Sequence, residues 1–117
     1  MANPNPVITH QPITMQTRPD PCPDTSYLEQ EGFEDRLRQA ENGLFGFIGV
    51  LASCEITITL AGESSIVHTF ESPGVWGVET DADPAYIQQL YQSERELLMS
   101  LLAAIGCRNT ADAASTT

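Results

Sequence analysis

The sequence predicts an α+β domain: a three-stranded antiparallel sheet packed against a long C-terminal helix, with a short N-terminal helix and a proline-rich N-terminal arm. Three observations carry this. Residues Ile48 to Leu60 alternate apolar with polar, residues Ile87 to Ile105 repeat apolar side chains every three or four positions, and six of the eight prolines precede residue 25. The first spacing is the period of a strand and the second that of a helix, while clustered proline suits neither.

In chain order, residues 1–26 read as a flexible arm. Pro4, Pro6, Pro12, Pro19, Pro21 and Pro23 remove backbone donors and fix φ, which favours extended, irregular chain. Val7, Ile8, Ile13 and Met15 make it more apolar than a plain linker, so an arm lying along this domain or a partner is the alternative to a tail. The folded domain is expected over 27–106. A short helix spans Phe33 to Glu41, with Phe33, Leu37 and Ala40 on one face, and Asn42-Gly43 closes it.

The strand run follows. Ile48, Val50, Ala52, Cys54, Ile56, Ile58 and Leu60 fall on one face, and the opposite face turns polar toward its end. The run exceeds the usual strand length of about 5–6 residues, so a bend near Gly49 is expected. Ala61-Gly62-Glu63-Ser64 predicts a hairpin turn into a strand over Ser65 to Glu71, whose register is open because a one-residue slip exchanges its faces. Ser72-Pro73-Gly74 turns the chain into a third strand, Val75 to Glu79, completing a meander. Asp83 then caps the long helix, Pro84 occupies its first position, and Gly106 ends it. Glu94 interrupts the helix's apolar stripe. Residues 107–117 are small and polar and read as a disordered tail.

Composition excludes several functions. The chain has 117 residues with 5 basic and 16 acidic ones, a formal charge of −11. All the basic residues are arginines: Arg18, Arg36, Arg38, Arg95 and Arg108. Such a chain is repelled by phosphates, which argues against direct binding to nucleic acid or an anionic membrane. No apolar run approaches the roughly 18 residues of a membrane span, and no secretory signal is visible. Cys22, Cys54 and Cys107 form no CxxC pair, so a reducing cytoplasm is the expected setting.

Glu79, Asp81 and Asp83 alternate like the start of a calcium loop. However, counting from Glu79, position six is Pro84 and position twelve is Leu90, so the pattern fails where glycine and glutamate are needed. The plain reading is an acidic loop favoured by the helix N-terminus. Cys54 and His68 suggest a nucleophile and base, yet no third member or phosphate loop accompanies them. No enzyme, metal or cofactor is expected. Glu29, Glu31, Glu34 and Asp35 form a second acidic cluster. Together with Glu79, Asp81 and Asp83 they compose an anionic face able to imitate a phosphate backbone and occupy a cationic groove.

The string Ser72-Pro73-Gly74-Val75-Trp76-Gly77-Val78-Glu79-Thr80-Asp81-Ala82-Asp83, with the tyrosine-bearing helix after it, resembles a motif of small acidic proteins from bacteriophages and other mobile elements. That motif runs Ser-x-Gly-Leu-Trp-Gly-Ile-Glu-Ser-Asp-Ser-Asp. The stretches Tyr27 to Gln30 and Gly43 to Val50 are similar to the same group. Thr80 and Ala82 replace its usual serines, which questions any hydrogen-bonding role of those hydroxyls. The resemblance implies a context in which inhibitors of host defence, anti-CRISPR proteins among them, are common. Trp76 is expected either to anchor the third strand on the long helix, with Gly74 and Gly77 permitting close packing, or to stand exposed as an interface hot spot.

The resulting expectation is a non-enzymatic inhibitor acting in the bacterial host cytoplasm. Its partner would be a nucleic-acid-binding defence complex, and Glu29, Glu31, Glu34, Asp35, Glu79, Asp81, Asp83 and Trp76 its binding residues. Reversing Glu79, Asp81 and Asp83 is expected to abolish binding without unfolding the domain. The alternative is an assembly subunit, a homodimer for instance, pairing through the helix or the outer sheet face of Phe45, Phe47 and Leu51.

Overall fold

A computed structural model describes residues 6–60 and 64–109. The described chain is α+β, with a largely antiparallel sheet and a long C-terminal helix. Its strands are β1 (Val7–His10), β2 (Thr14–Pro19), β3 (Phe47–Leu60), β4 (Ser64–Glu71), β5 (Val75–Glu79) and the two-residue β6 (Arg108–Asn109). A 3-10 turn covers Ser26–Glu29, and the α-helices are α1 (Glu34–Glu41) and α2 (Pro84–Ala104).

Strand β3 is the spine of the sheet. Its 14 residues span about 46 Å, enough to carry two short strands end to end along each edge. Ile48 and Val50 pair with both β2 and β5, while Ile56 to Thr59 pair with both β1 and β4. One edge of β3 therefore carries β2 and β1, and the other carries β5 and β4. All four run antiparallel to it, and β6 adds to β1 in parallel.

Four expectations are corrected here. The sheet holds six strands rather than three, and β5 returns to β3 instead of pairing with β4 as a meander requires. The arm over 1–26 does not stand apart, because Val7–His10 and Thr14–Pro19 are strands of the main sheet. Its prolines punctuate these strands without preventing them. Pro12 lies in the connection between β1 and β2, and Pro19 ends β2 at the sheet's edge, where a missing donor costs no ladder bond. The expected tail likewise does not begin at residue 107, because Arg108–Asn109 form β6. Residues 1–5, most of the expected hairpin turn (61–63) and the tail beyond Asn109 lie outside the described residues.

The register of β4 is now fixed. Cys54 faces Phe70, Ile56 faces His68 and Ile58 faces Ile66, so the apolar positions of both strands share one face. On that face α2 lays Tyr91, Leu98 and Leu102 against Val50, Ala52, Cys54, Ile56 and Val78. Full burial of a leucine such as Leu98 stabilises the fold by roughly 1.5–3 kcal/mol. The helix begins as its sequence demands, with Asp83 Oδ1 accepting from Ala85 N (2.9 Å) and Pro84 in the first turn. Beyond the helix the sheet is bare, and every residue of β4 from Ser64 to Thr69 is exposed.

Glu94, which breaks the apolar stripe of α2, is buried, and its carboxylate accepts a hydrogen bond from Gly74 N. It stitches α2 to the turn before β5. The same turn sets up a bulge: Ile48 faces Val78 but Val50 faces Val75, so Trp76 and Gly77 together oppose Gly49. Gly77 adopts φ +74°, and the indole of Trp76 lies directly on Gly49, where a Cβ would come within 2.3 Å of Cε3. The irregularity expected at Gly49 is thus the seat of the tryptophan.

Candidate functional site

The two acidic segments predicted to form one face are treated differently by the fold. Glu79 ends β5 and Asp81 follows in the turn into α2; α1 aims Arg36 at both. Arg36 Nε donates to Glu79 Oε2 (2.8 Å), and Nη1 donates to Asp81 Oδ2 (2.9 Å) and to Gln39 Oε1 (2.8 Å). Its guanidinium lies 3.6 Å from the centre of the Phe45 ring. Arg36's hydrogen bonds, then its charge, hold the Asp81 carboxyl below the usual range, and those carboxylates push the arginine's own value up. Asp83 is the helix cap. Glu79 and Asp81 thus share one cation, while Asp83 stays exposed with one oxygen taken up by the cap.

This corrects one expectation. A charge reversal at Glu79, Asp81 and Asp83 would place lysines against Arg36 and remove a cap, so it attacks the fold as well as any binding face. The intervening Thr80 restores what the comparison of motifs questioned. Its Oγ1 accepts from Gly46 N (2.9 Å) while its own N donates to Gly46 O (2.9 Å), so the loop keeps a hydroxyl clasp at that position.

The earlier segment faces outward. Glu29 and Glu31 are exposed and, among the described residues, make no hydrogen bond or ion pair. Glu34 accepts from Gly32 N (3.1 Å), and Asp35 pairs with Arg38 one turn along α1, on the exposed surface. Tyr27 links the two segments. Its ring packs edge-on to Phe33 at 5.7 Å, and its hydroxyl is buried without a hydrogen-bond partner. Burial first, and then the neighbouring Glu79 carboxylate, push that phenol up.

Trp76 falls between the two roles offered for it. It is 45% exposed, yet it is seated on Gly49 and tied by Nε1 to Pro73 O (3.0 Å). It does not pack on α2, because Gly49 belongs to the face of β3 opposite the helix-covered one. Beside it opens a hollow of about 440 Å³, lined also by Asp20, Cys22, Asp24, Tyr27 and Gly77. Asp20 shapes it, with Oδ2 accepting from Gly77 N (2.9 Å) and Oδ1 from Cys22 N (3.0 Å). Asp24 Oδ1 accepts from Ser26 Oγ (2.7 Å) and Ser26 N (3.0 Å), and these bonds hold its carboxyl below the usual range. Sequence reasoning passed over both aspartates because they lie in the supposed arm. The available signal was local: an aspartate two residues before a backbone N–H that it accepts from is an Asx turn, a mark of ordered chain.

The other candidates separate. Cys54 is buried, and burial, then the neighbouring Cys107, push its thiol up, the opposite of what a nucleophile needs. His68 is exposed on β4. No helix among the described residues is long and apolar enough to cross a membrane. Searches against protein-family models, curated proteins and solved structures return no match to this chain.

Proposed function

We propose that this protein is a non-enzymatic inhibitor of phage or mobile-element type, anti-CRISPR-like in action. It would block a bacterial nucleic-acid-binding complex by presenting an acidic face to its cationic groove. The observation that carries the reading is the half-exposed, rigidly seated Trp76 at the rim of a hollow that also holds Asp20 and Asp24, in a chain of charge −11. An indole beside carboxylates suits the arginine or lysine of a partner, through its ring face and through charge. Glu29 and Glu31, unpaired among the described residues, extend the negative field. Glu79 and Asp81, sharing Arg36, and the exposed Asp83 add the second acidic segment to it.

The test is affinity capture from a bacterial lysate, repeated with rising salt and competing DNA. A nucleic-acid-binding complex retained by the native protein, displaced by DNA and salt, and lost with W76A or E29K/E31K supports the proposal. Capture indifferent to all three sinks it.

One observation favours the assembly reading. Leu97 and Leu101 on α2 and Ile105 at its C-cap leave an exposed apolar strip at one-turn spacing. The outer sheet face is not available for the same role, since Phe45 and Leu51 are buried within the chain. Light scattering at low and high salt separates the readings: a dimer that persists in salt and dissociates with L97E belongs to the second.

A further inference from the structure

We infer that the cleft at the carboxyl end of α2 is a binding site for a small amphipathic monocarboxylate. It is distinct from the Trp76 face and rests on different residues. The cleft has a volume of about 500 Å³, within the roughly 300–1,000 Å³ usual for small-molecule sites. Ile13, Met99 and Leu102 give it an apolar floor, and Arg95 and Arg108 give it a cationic rim, with His10 beside them.

The distribution of arginines is the first argument. Arg18 pairs with Glu71, Arg36 with Glu79 and Asp81, and Arg38 with Asp35. Arg95 and Arg108 pair with no carboxylate among the described residues, and both line this cleft. Among the described residues, no aspartate or glutamate lines it with them. In a chain of charge −11, two cations gathered without a counter-ion mark a place where an external anion is stabilised.

The fold delivers these groups from three elements. Strand β1 brings His10, helix α2 brings Arg95 and Met99 one turn apart, and β6 brings Arg108, which pairs with Thr9 of β1. His10 Nδ1 donates to Gln11 O (2.7 Å), which holds the imidazole at the edge of the cleft. Burial pushes the Cys107 thiol up, so it adds no negative charge.

The helix end decides the ligand's charge. Carbonyls at the C-terminus of α2 carry partial negative charge, which opposes an anion and opposes a dianion more. Part of that opposition is removed, because Ala103 O accepts from Gly106 N (3.0 Å) and Leu102 O from Cys107 N (2.9 Å). One carboxylate on the arginines with its apolar body on Met99 and Leu102 satisfies both halves of the cleft.

Octanoate is the probe, with octanol, octylammonium and inorganic phosphate as comparisons, read by calorimetry and by amide shifts in NMR. Saturable one-to-one octanoate binding that shifts amides of β1, β6 and the end of α2 is expected. R95Q/R108Q should weaken it roughly tenfold or more, the loss of a charge-assisted contact. Equal binding of octanol would overturn the proposal by showing an apolar hollow alone. So would phosphate binding as tightly as octanoate, an unchanged affinity in R95Q/R108Q, or no octanoate binding to the folded protein.

Discussion

The segments 29–35 and 79–83 carry much the same acidic residues, yet one faces water and the other holds the molecule together. The difference is the reach of a single cation. Arg36 sits on α1 where its planar fork meets Glu79 and Asp81 at once, with Phe45 beneath it. Glu29 and Glu31 lie on and just beyond the 3-10 turn with no cation in range among the described residues. A carboxylate count therefore overstates an acidic face, because carboxylates that the fold has already paired present little field to a partner. The surface that remains is smaller, and the carboxylates beside Trp76 are those of Asp20 and Asp24.

This contrast breaks most visibly at the buried member of the structural set. Glu94→Ala leaves the partly buried Gly74 N–H without its acceptor, at a cost of up to about 1–3 kcal/mol, the range for a fully buried donor. Chemical denaturation should show that loss, with Glu94→Gln recovering part of it through its amide oxygen. An Ala variant as stable as the native chain would mean the contact is dispensable. Gly49→Ala probes the tryptophan instead. Its Cβ would meet Trp76 at 2.3 Å, and overpacking of this kind costs roughly 1–3 kcal/mol. Indole fluorescence should report a more solvated ring, and capture of the proposed partner should fall even in chains that remain folded. Asp83→Ala removes the cap of α2, about 1 kcal/mol, with the helical signal fraying from its start. Finally, Glu29→Gln with Glu31→Gln should leave the melting temperature in place while weakening salt-sensitive partner binding. A clear drop in stability there would erase the distinction between the two segments.

Much of this was legible in the sequence, and the misses share a cause. Local signals gave the strand of Ile48–Leu60, the bounds of β5, the cap at Asp83 and the span of α2, because period and caps act within a few residues. Glu94 also announced itself by breaking the stripe, though only the fold shows that Gly74 N is what it serves. The failures were long-range. Val7–His10 pairs with Ile56 to Thr59, and nothing in a proline-rich stretch names that partner. Pairing of Glu79 and Asp81 with Arg36 depends on α1 folding back beside β5, so the charges looked free. Trp76 was ambiguous for the same reason, since its seat is a glycine on another strand.

The sharpest comparison is of pH response, where Arg36 acts on two groups in opposite ranges. Asp81 has its folded value held below the unfolded one of about 3.9 by Arg36. Its contribution to stability is therefore complete above about pH 4 and is lost as pH falls toward the folded value. Asp24 has the same sign through Ser26, so D81N and D24N should each make acid unfolding shallower, and E29Q/E31Q should not. Tyr27 has the reverse sign. Its folded value is raised by burial and by Glu79, so its contribution is present below about pH 10 and is lost as pH rises beyond. Arg36 tempers that rise, because its charge favours the phenolate. Arg36→Ala should consequently return Asp81 toward the ordinary carboxyl range and move Tyr27 still higher, two displacements in the same direction from one substitution. Carboxyl NMR titration and phenolate absorbance read them separately. A variant that moved neither group would show that Arg36 is not the cation on which the two acidic segments divide.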